Sequence, residues 1–387
     1  MNKTKESILP KGFLAGKPVT GKQLVGREDI IRQVSQLTLN GQSVVLVAPR
    51  RFGKTSVILE ILRRLKRKSV YSIYIDFFST PTKEILAEKI TESVLQNKKL
   101  HIMFYKFKDN IGELLKHVEF KRTVEDFNFI LSFADVHKDP DKLLSSSIDF
   151  IDKFSVKNNK KMVCAFDEFG DLKKLDGSEI VKLFRSKIQL QKNAAYIFSG
   201  SYESVINDLF ICSHSPFYRF ARVIKLRSIA KNPFKKYLIN VFSNLGIKIN
   251  DDSLDFILNF TGGHPYYTQL ICQQIELGFS SKNPILKSQI VDFIESAMWV
   301  EINYIEKLWE ELTRSKENIP VLLTLAKSQR GLYSEIETKK INVARALKRL
   351  QVSGIVEKID KYYQITDPLF LYWIKRNILG FDKTECV

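Results

Sequence analysis

Short apolar runs alternate with amphipathic stretches from about residue 26 to residue 226. The runs are rich in β-branched side chains and cover residues 43–48, 72–77, 161–167, 195–200 and 223–226. The stretches between them carry apolar residues at helical spacing, so the pattern indicates strands separated by helices. Such strands form a parallel sheet that helices cover on both faces. We therefore predict an α/β core.

A different pattern begins after residue 228, where the strand-like runs stop. Residues 233–297 have the pattern of short helices, with a break at the Thr-Gly-Gly-His-Pro sequence of residues 261–265. Beyond residue 303, helical stretches precede two β-like runs, residues 356–359 and 362–365, joined by a polar corner. The two runs predict a β-hairpin, and helices followed by a hairpin suggest a winged helix. We expect three domains: residues 1–228, 229–300 and 301–387.

Composition and charge narrow the class of protein. The 387 residues include 61 Lys and Arg against 43 Asp and Glu, a net charge of +18, which favours contact with a polyanion such as nucleic acid. Every long apolar window is interrupted by a polar or charged residue, so we expect no membrane span and a cytoplasmic location. The four cysteines are far apart and form no CxxC pair, which argues against a zinc site or a disulfide framework.

The strongest local signal is a phosphate-binding loop between the first apolar run and a helical pattern. Such a loop points backbone N–H groups at a phosphate, and the following helix adds its own N-terminal N–H groups. We expect Lys54 to reach the β- and γ-phosphates and the Thr55 hydroxyl to ligate Mg²⁺. Ala48 replaces the usual first glycine and fits if its φ is negative. The predicted triphosphate-binding residues are Ala48, Pro49, Arg50, Arg51, Phe52, Gly53, Lys54, Thr55 and Ser56.

Two carboxylates lie at the end of the apolar run of residues 161–167: Asp167 is its last residue, and Glu168 follows directly. In phosphoryl-transfer ATPases a carboxylate at the end of a strand orients the magnesium ion and its waters, and a following glutamate can polarise the attacking water. We assign the first role to Asp167 and the second to Glu168. Neither is specific alone, but an apolar strand and an upstream phosphate loop make the pair a strong signal for ATP hydrolysis.

The order of the motifs resembles that of the archaeal-type ATPases, on the signal-transduction (STAND) side of the AAA+ superfamily and related to the archaeal origin-recognition initiators. The resemblance spans about residues 25–372. It implies a P-loop AAA+-type parallel sheet core, a helical lid and a C-terminal winged-helix domain. The motifs that carry it are Leu-Val-Gly-Arg-Glu (24–28), Ala-Pro-Arg-Arg-Phe-Gly-Lys-Thr-Ser (48–56), Phe-Asp-Glu-Phe (166–169), Phe-Ser-Gly-Ser (198–201), Ser-Pro-Phe-Tyr-Arg (215–219), Thr-Gly-Gly-His-Pro-Tyr-Tyr (261–267) and Ile-Thr-Asp-Pro-Leu-Phe (365–370).

The resemblance also implies roles for individual residues. Val25, Gly26 and Arg27 would border the adenine, and Pro265 would pack near the base and couple the lid to the nucleotide. Ser199 would be the sensor that contacts the attacking water or the γ-phosphate. Two simpler interpretations remain open: a polar strand end for residues 199–201, and a plain helix break for residues 262–265.

An arginine that neutralises charge on the γ-phosphate is expected as well. Arg185, Arg219 and Arg222 are the candidates, and we choose Arg219. Arg50 and Arg51 are expected to stabilise the loop or meet a neighbouring subunit rather than act in the chemistry. His214 and His264 have no second ligand at useful spacing, so we assign them no metal.

Residues 341–350 predict an amphipathic helix whose polar face carries Arg345, Lys348 and Arg349. Such a helix suits DNA recognition, with Lys339, Lys340, Lys358 and Lys361 adding positive charge nearby. Winged helices also make protein contacts, so a protein partner stays open.

These features predict an ATP- and Mg²⁺-dependent ATPase whose nucleotide state controls contact of a winged helix with DNA. It would act as a monomer or an ATP-dependent homo-oligomer. One alternative is a nucleotide switch that signals through protein partners without DNA. The other is a DNA-binding regulator that uses the nucleotide only as a structural ligand.

Overall fold

The structure, a computed structural model, describes residues 12–100, 139–200, 208–280, 283–328, 336 and 341–387. Within these ranges a five-stranded parallel sheet has the order β2-β3-β4-β1-β5. All five predicted strands are confirmed. Their bounds are Val44–Val47 (β1), Tyr71–Asp76 (β2), Met162–Asp167 (β3), Ala194–Gly200 (β4) and Arg222–Lys225 (β5).

Helices cover both faces of the sheet, as the buried apolar runs predict. Alternate residues of each strand point to opposite faces, so Val44 and Leu46 pack with α1 and α2, whereas Val45 and Val47 pack with α3–α5. The bounds of these helices are Glu28–Leu39 (α1), Lys54–Arg67 (α2), Lys83–Gln96 (α3), Pro140–Lys157 (α4) and Lys173–Ile188 (α5).

The rest of the described chain is mainly helical, and the helix break at residues 261–265 is confirmed. We call the first four of these helices the lid helices. They are Lys231–Asn244 (α6), Asp251–Thr261 (α7), Pro265–Gly278 (α8) and Lys287–Val300 (α9). The following helices are Ile302–Thr313 (α10), Asn318–Lys327 (α11), Val343–Val352 (α12) and Pro368–Trp373 (α13), the last continuing as a π-helical turn at Ile374–Ile378.

The predicted hairpin is also confirmed, with Val356–Ile359 (β6) antiparallel to Tyr362–Ile365 (β7). Val343, Ala346, Leu347 and Leu350 of α12 are buried, as the amphipathic pattern predicts. One apolar core joins the lid helices to the C-terminal helices and the hairpin. The division into residues 1–228, 229–300 and 301–387, and the winged-helix assignment, stay predictions. Across the described ranges, no helix combines the length and apolar character needed to cross a membrane.

Candidate nucleotide-binding site

The loop after β1 turns sharply because two of its residues adopt left-handed backbone conformations. Arg51 has φ 64° and Gly53 has φ 83°, and α2 begins at the next residue, Lys54. Glycine is the residue that adopts this conformation without strain. The Lys54 ammonium donates to the carbonyl oxygens of Ala48 at 2.9 Å and Pro49 at 3.1 Å. Burial lowers the pKa of Lys54, against the opposing charges of Glu168 and Asp167. A cation held beneath a loop of this shape suits phosphate binding.

Three hydroxyl groups converge on the carboxylate of Asp167 at the end of β3. Thr55 Oγ1 donates to Oδ2 at 2.7 Å, the Tyr74 hydroxyl donates to the same oxygen at 2.9 Å, and Ser199 Oγ donates to Oδ1. Asp167 is only 3% exposed, so these donors replace water around a buried carboxyl group. Burial, followed by the charge of Asp167, raises the pKa of Tyr74. The structure thus brings together Thr55, Asp167 and Ser199, which the sequence analysis singled out separately, and adds Tyr74, which it missed.

The neighbouring carboxylates lie at the same edge of the sheet. Glu168 follows Asp167 in a left-handed conformation, with φ 50°, and its side chain lines the same cavity as Lys54. Asp76, at the end of β2, is in register with Asp167 and also lines the cavity. Burial raises the pKa of Asp76. Oxygen ligands of this kind suit Mg²⁺.

The cavity has a volume of about 790 Å³ and lies between the phosphate loop, the lid helices and the segment before α1. Of the predicted loop residues, those from Arg50 to Ser56 line it, whereas Ala48 and Pro49 contribute the carbonyl groups that hold Lys54. Away from the phosphate loop, the lid helices and the end of the segment before α1 contribute a lining that is uncharged and largely apolar: Leu24, Val25, Phe234, Tyr237, Pro265 and Gln269. A cavity with one charged and one apolar side matches the triphosphate and base of a nucleotide.

The residues predicted to border the base have different surroundings. Val25 and Pro265 line the cavity. Gly26 has φ 66°, and a Cβ there would lie 2.6 Å from Ile229 Cγ2, so only glycine allows this approach. Arg27 is 3% exposed and donates to the carbonyl oxygens of Arg227 and, at 3.1 Å, Phe52. Burial lowers its pKa to about 10. Arg27 therefore fastens the loop to the connection that follows β5, besides lining the cavity.

The part of the segment before α1 that precedes Val25, residues 13–24, forms a wall of the cavity that the sequence analysis did not foresee. Backbone N–H groups of this segment donate to side chains of α2: Val19 to Ser56 Oγ at 3.0 Å, and Gly21 to Glu60 Oε2 at 2.9 Å. At its other end, the Phe13 N–H donates to Glu276 of α8 at 2.8 Å. The segment thus connects the lid helices to the helix that starts at the phosphate loop.

The three candidate arginines lie outside the cavity lining. Arg219 is exposed and its guanidinium lies 5.1 Å from the ring centroid of Tyr218. Arg185 donates to the Pro216 carbonyl at 2.9 Å. Arg222 starts β5 in register with Val44, at the end of the sheet opposite the phosphate loop. The role given to Arg219 stays a prediction, and the arginines that line the cavity among the described residues of one chain are Arg27, Arg50 and Arg51.

Arg51 connects the phosphate loop to the helices beyond it. Its guanidinium pairs with Glu301, which lies between α9 and α10, at 2.5 Å, and lies 4.3 Å from the ring centroid of Tyr266. The Tyr266 hydroxyl also donates to Glu301. Beside this contact, the His264 ring packs edge-on against Phe52 with centroids 4.4 Å apart, and burial lowers the pKa of His264 to about 3. His264 is therefore a neutral packing residue at ordinary pH. Within the described ranges, no set of three or more His, Cys, Asp or Glu side chains is arranged to hold a metal ion by itself.

The predicted DNA-binding face of α12 is partly accessible. Arg345 and Lys348 are exposed, whereas Arg349 pairs with Glu317 at 2.5 Å and donates to Ser315 Oγ at 2.8 Å. Lys358 and Lys361 of the hairpin are exposed as well, and Lys339 and Lys340 lie outside the described residues. No described residue forms an ion pair with Arg345 or Lys348, so these two can contact a partner without breaking one, whereas Arg349 would have to leave Glu317.

Solved structures of two archaeal proteins share this fold. A Walker-type ATPase of Pyrococcus abyssi matches with a TM-score of 0.67 and 18% identity, over 92% of this chain and 97% of that one. The ORC2 protein of Aeropyrum pernix, in ADPNP-ADP complexes, matches with a TM-score of 0.56 and 11% identity, over 94% of this chain and 97% of that one. No curated protein is similar enough to this chain to count as a relative.

The family itself is identified by sequence. A model of ATPase domains predominantly from Archaea matches residues 24–271, which include the phosphate loop, Asp167, Ser199 and Pro265. The match covers more than half of the chain and agrees with the resemblance that the order of the motifs indicated. The chain therefore belongs to the family of ATPase domains found predominantly in Archaea.

Proposed function

We propose that this protein is a Mg²⁺-dependent ATPase whose nucleotide state controls the contact of its C-terminal domain with DNA. The observation that carries the catalytic part is the convergence of Thr55, Tyr74 and Ser199 on Asp167, next to a loop that holds Lys54. A hydroxyl and a buried carboxylate 2.7 Å apart at a phosphate loop are the donor set that Mg²⁺ with a nucleotide prefers.

Each residue has a distinct role in this proposal. Gly53 and the N-terminus of α2 bind phosphate, and Lys54 moves its donors from loop carbonyls to phosphate oxygens. Thr55 and Asp167 hold Mg²⁺, which when bound neutralises charge on the phosphates. Glu168 accepts the proton of the attacking water. Ser199 orients the carboxylate of Asp167 through the hydrogen bond that it donates to Oδ1.

The test of hydrolysis is Glu168→Gln compared with Lys54→Ala. We expect Glu168→Gln to bind ATP normally and to lower the rate of phosphate release by about 10²-fold or more, because the general base is lost. Lys54→Ala should weaken ATP binding itself. Glu179→Gln is a matched control, because Glu179 is an exposed residue of α5 that pairs only locally with Lys182. Wild-type turnover in Glu168→Gln would overturn the catalytic assignment, and equal turnover with and without Mg²⁺ would overturn the metal assignment.

The proposal for DNA rests on the exposed cations of α12 and the hairpin, together with the net charge of +18. The double variant Arg345→Ala/Lys348→Ala should weaken binding to duplex DNA. The number of phosphate contacts inferred from the salt dependence of binding should fall by about two. Lys142→Ala/Lys182→Ala, which removes two exposed lysines of α4 and α5, is the control.

Comparison of ATP, ADP and no nucleotide separates the remaining possibilities. The proposal requires that DNA affinity differs between the ATP and ADP states. No DNA binding in any state would favour a switch that acts through protein partners. DNA binding that needs nucleotide but is the same with ATP and ADP would favour a structural role for the nucleotide.

A further inference from the structure

The edge of the sheet opposite the nucleotide site is strongly basic. All five strands are parallel, so their amino ends and the connections that lead into them lie together at this edge. We call this surface the basic edge and define it as residues 39–43, 67–71, 97–100, 157–161, 189–193 and 221–222. Nine of its Lys and Arg side chains are exposed: Arg67, Lys68, Lys98, Lys99, Lys157, Lys160, Lys161, Lys192 and Arg222.

Hydrogen bonds between the connections hold them side by side. The Tyr71 N–H donates to the Lys161 carbonyl at 2.9 Å, and the Lys161 ammonium donates to the Leu39 carbonyl at 2.6 Å. The Ser72 N–H donates to Asn97 Oδ1 at 2.9 Å, which fixes the end of α3 beside β2. Neighbouring strands lie about 4.8 Å apart, so the five strands give an edge ~20 Å wide. The cations are therefore presented on a fixed frame.

The positive charge of the basic edge is not balanced by carboxylates. None of its residues is Asp or Glu. Two carboxylates of α4 that precede it have partners of their own, because Asp149 pairs with Lys187 at 2.7 Å and Asp152 accepts from the Asn193 N–H at 2.9 Å. The C-terminal ends of α1–α5 also lie here, and each carries about −0.5 of a charge. These helix ends offset roughly two or three of the cations, so a large positive excess remains.

The chemistry of the basic edge fits the phosphate backbone of duplex DNA. Its cations lie among Asn, Gln and Ser side chains, and all of these groups contact phosphate oxygens in protein–DNA complexes. Duplex DNA carries one charge per about 1.7 Å of its axis, so an edge ~20 Å wide faces roughly a dozen phosphates. Single-stranded nucleic acid is held by stacking on exposed aromatic rings, and the basic edge has no exposed ring. A lipid surface is held by a larger apolar face than Leu190, its one exposed large apolar side chain, provides.

We propose that the basic edge is a second, sequence-independent contact for duplex DNA, separate from the contact proposed for α12 and the hairpin. The inference extends the DNA part of the proposed function and does not depend on the ATPase part. The basic edge lies at the opposite end of the strands from the phosphate loop, so its contribution to affinity should be the same with ATP, with ADP and without nucleotide. Through it the protein would stay on DNA while the nucleotide-dependent contact forms and breaks.

The test variant replaces one exposed lysine in each of four connections: Lys68→Gln/Lys98→Gln/Lys160→Gln/Lys192→Gln. No described residue forms an ion pair with any of the four, so the fold should be unchanged. Affinity is measured against salt with a short duplex of arbitrary sequence. The slope of log Kd against log salt concentration should fall by about three to four, and the affinity at about 0.1 M salt should fall at least tenfold.

Two control variants separate phosphate contact from other effects. The four substitutions to Arg instead of Gln keep the charge and should retain the wild-type slope, which shows that the connections tolerate replacement. Lys142→Gln/Lys173→Gln/Lys182→Gln/Lys236→Gln removes the same number of charges from exposed lysines of α4, α5 and α6 that lie outside both proposed DNA contacts. This control should also keep the wild-type slope, because net charge alone is not the cause.

The variant Arg345→Ala/Lys348→Ala separates this inference from the proposed function. It should keep a nucleotide-independent affinity for duplex DNA that the four Gln substitutions then remove. Loss of all DNA binding in Arg345→Ala/Lys348→Ala would overturn the inference and leave the proposed function intact. A wild-type slope in the four-Gln variant, or an equal loss in the control at α4–α6, would do the same. Failure of the wild-type protein to bind duplex DNA at low salt would overturn both DNA contacts and leave the ATPase proposal intact.

A lipid surface is tested with phosphatidylcholine vesicles that contain about 30% phosphatidylserine, because anionic headgroups also attract clustered lysines. The wild type and the four-Gln variant are compared on vesicles and on DNA. Vesicle binding that the four-Gln variant loses while its DNA binding stays at the wild-type level would overturn the assignment to DNA. Loss of DNA binding in that variant, with the Arg variant unaffected, is the result that supports it.

Discussion

The ion pair between Arg51 and Glu301 should couple the phosphate loop to the C-terminal half of the chain. The two residues are 250 positions apart, so the pair contributes only when both parts of the chain are folded and in contact. Arg51→Met removes the charge and keeps an apolar stem against Tyr266. Glu301→Gln removes the charge and keeps an oxygen that accepts from the Tyr266 hydroxyl. We expect the two substitutions to be non-additive.

The size of the coupling follows from the burial of the two partners. Glu301 is 6% exposed, but Arg51 is 38% exposed, so solvent screens one side of the pair. Removing one partner of a fully buried pair costs about 3–5 kcal/mol, whereas exposed pairs contribute about 0–1 kcal/mol. We therefore expect a coupling free energy of about 1.5–3 kcal/mol, the range of hydrogen bonds to charged groups.

Urea unfolding followed by tryptophan fluorescence measures this coupling in the part of the molecule where it acts. The three tryptophans, Trp299, Trp309 and Trp373, all lie in the C-terminal part, and the rings of Trp309 and Trp373 are 5.6 Å apart. The wild type, the two single variants and the double variant complete a mutant cycle.

The exposed pair Arg32–Asp29 provides the control, since its side chains are 68% and 91% exposed. A cycle built from Arg32→Met and Asp29→Asn should give a coupling below about 0.5 kcal/mol. If the cycle at Arg51 and Glu301 also stays below that value, the loop is not energetically tied to the C-terminal half, and the reasoning from burial is refuted.

Three other predictions concern the metal, the helix break and pH. Tyr74→Phe removes a donor to Asp167 and should raise the Mg²⁺ concentration needed for half-maximal nucleotide binding about 10- to 100-fold; an unchanged Mg²⁺ titration would contradict this. Gly262→Ala should lower the free energy of unfolding in urea by about 1 kcal/mol, because φ is 56° there but no atom lies within 4 Å of the added Cβ. Gly263→Ala should lower it by at least ~2 kcal/mol more, because its Cβ would lie 2.2 Å from a backbone oxygen. Equal costs would refute the steric argument. Burial lowers the pKa of His264 from 6.5 to about 3, so the unfolded chain binds this proton first and stability falls as pH drops from about 6.5 toward 3. His264→Asn should reduce that loss by up to ~1.4 kcal/mol per pH unit, measured as unfolding free energies at pH 7 and pH 5; parallel pH profiles would exclude His264 as the source.

The sheet and the phosphate loop were predictable because their signals are local. A buried parallel strand needs a short apolar run. Asp167 ends one such run, and the phosphate loop that leads to Lys54 directly follows another. Because the carboxyl ends of parallel strands meet at one edge of the sheet, the sequence positions of Lys54 and Asp167 predict that the two residues lie close together in the fold. The hairpin was predictable for the same reason, from two short runs around a polar corner.

The residues that the sequence analysis missed occur in the ordinary patterns of strands and helices. Tyr74 is a typical aromatic residue of a β-strand, and Gln269 is a typical polar residue of an amphipathic helix, so neither spacing nor composition marks them. Their contacts depend on which residue lies opposite, Asp167 for Tyr74 and Tyr237 for Gln269. Likewise, the contact of Val19 with α2 depends on the path of a segment whose apolar residues show neither helical nor strand spacing.

The long-range contacts also explain how a nucleotide site could influence a surface far from it. Tyr266 and Tyr267 are consecutive on α8, but they contact different parts of the chain. Tyr266 contacts Arg51 of the phosphate loop, whereas Tyr267 donates to Asp367, whose side chain caps α13. Because both rings are fixed to one rigid helix, a displacement of Arg51 that moves α8 must also strain the contact with Asp367. Glu301 accepts a hydrogen bond from Tyr266, so the coupling between Arg51 and Glu301 tests the contact of the phosphate loop with the Tyr266–Glu301 pair, where this route begins. Without that coupling, a nucleotide-dependent DNA contact would need another path.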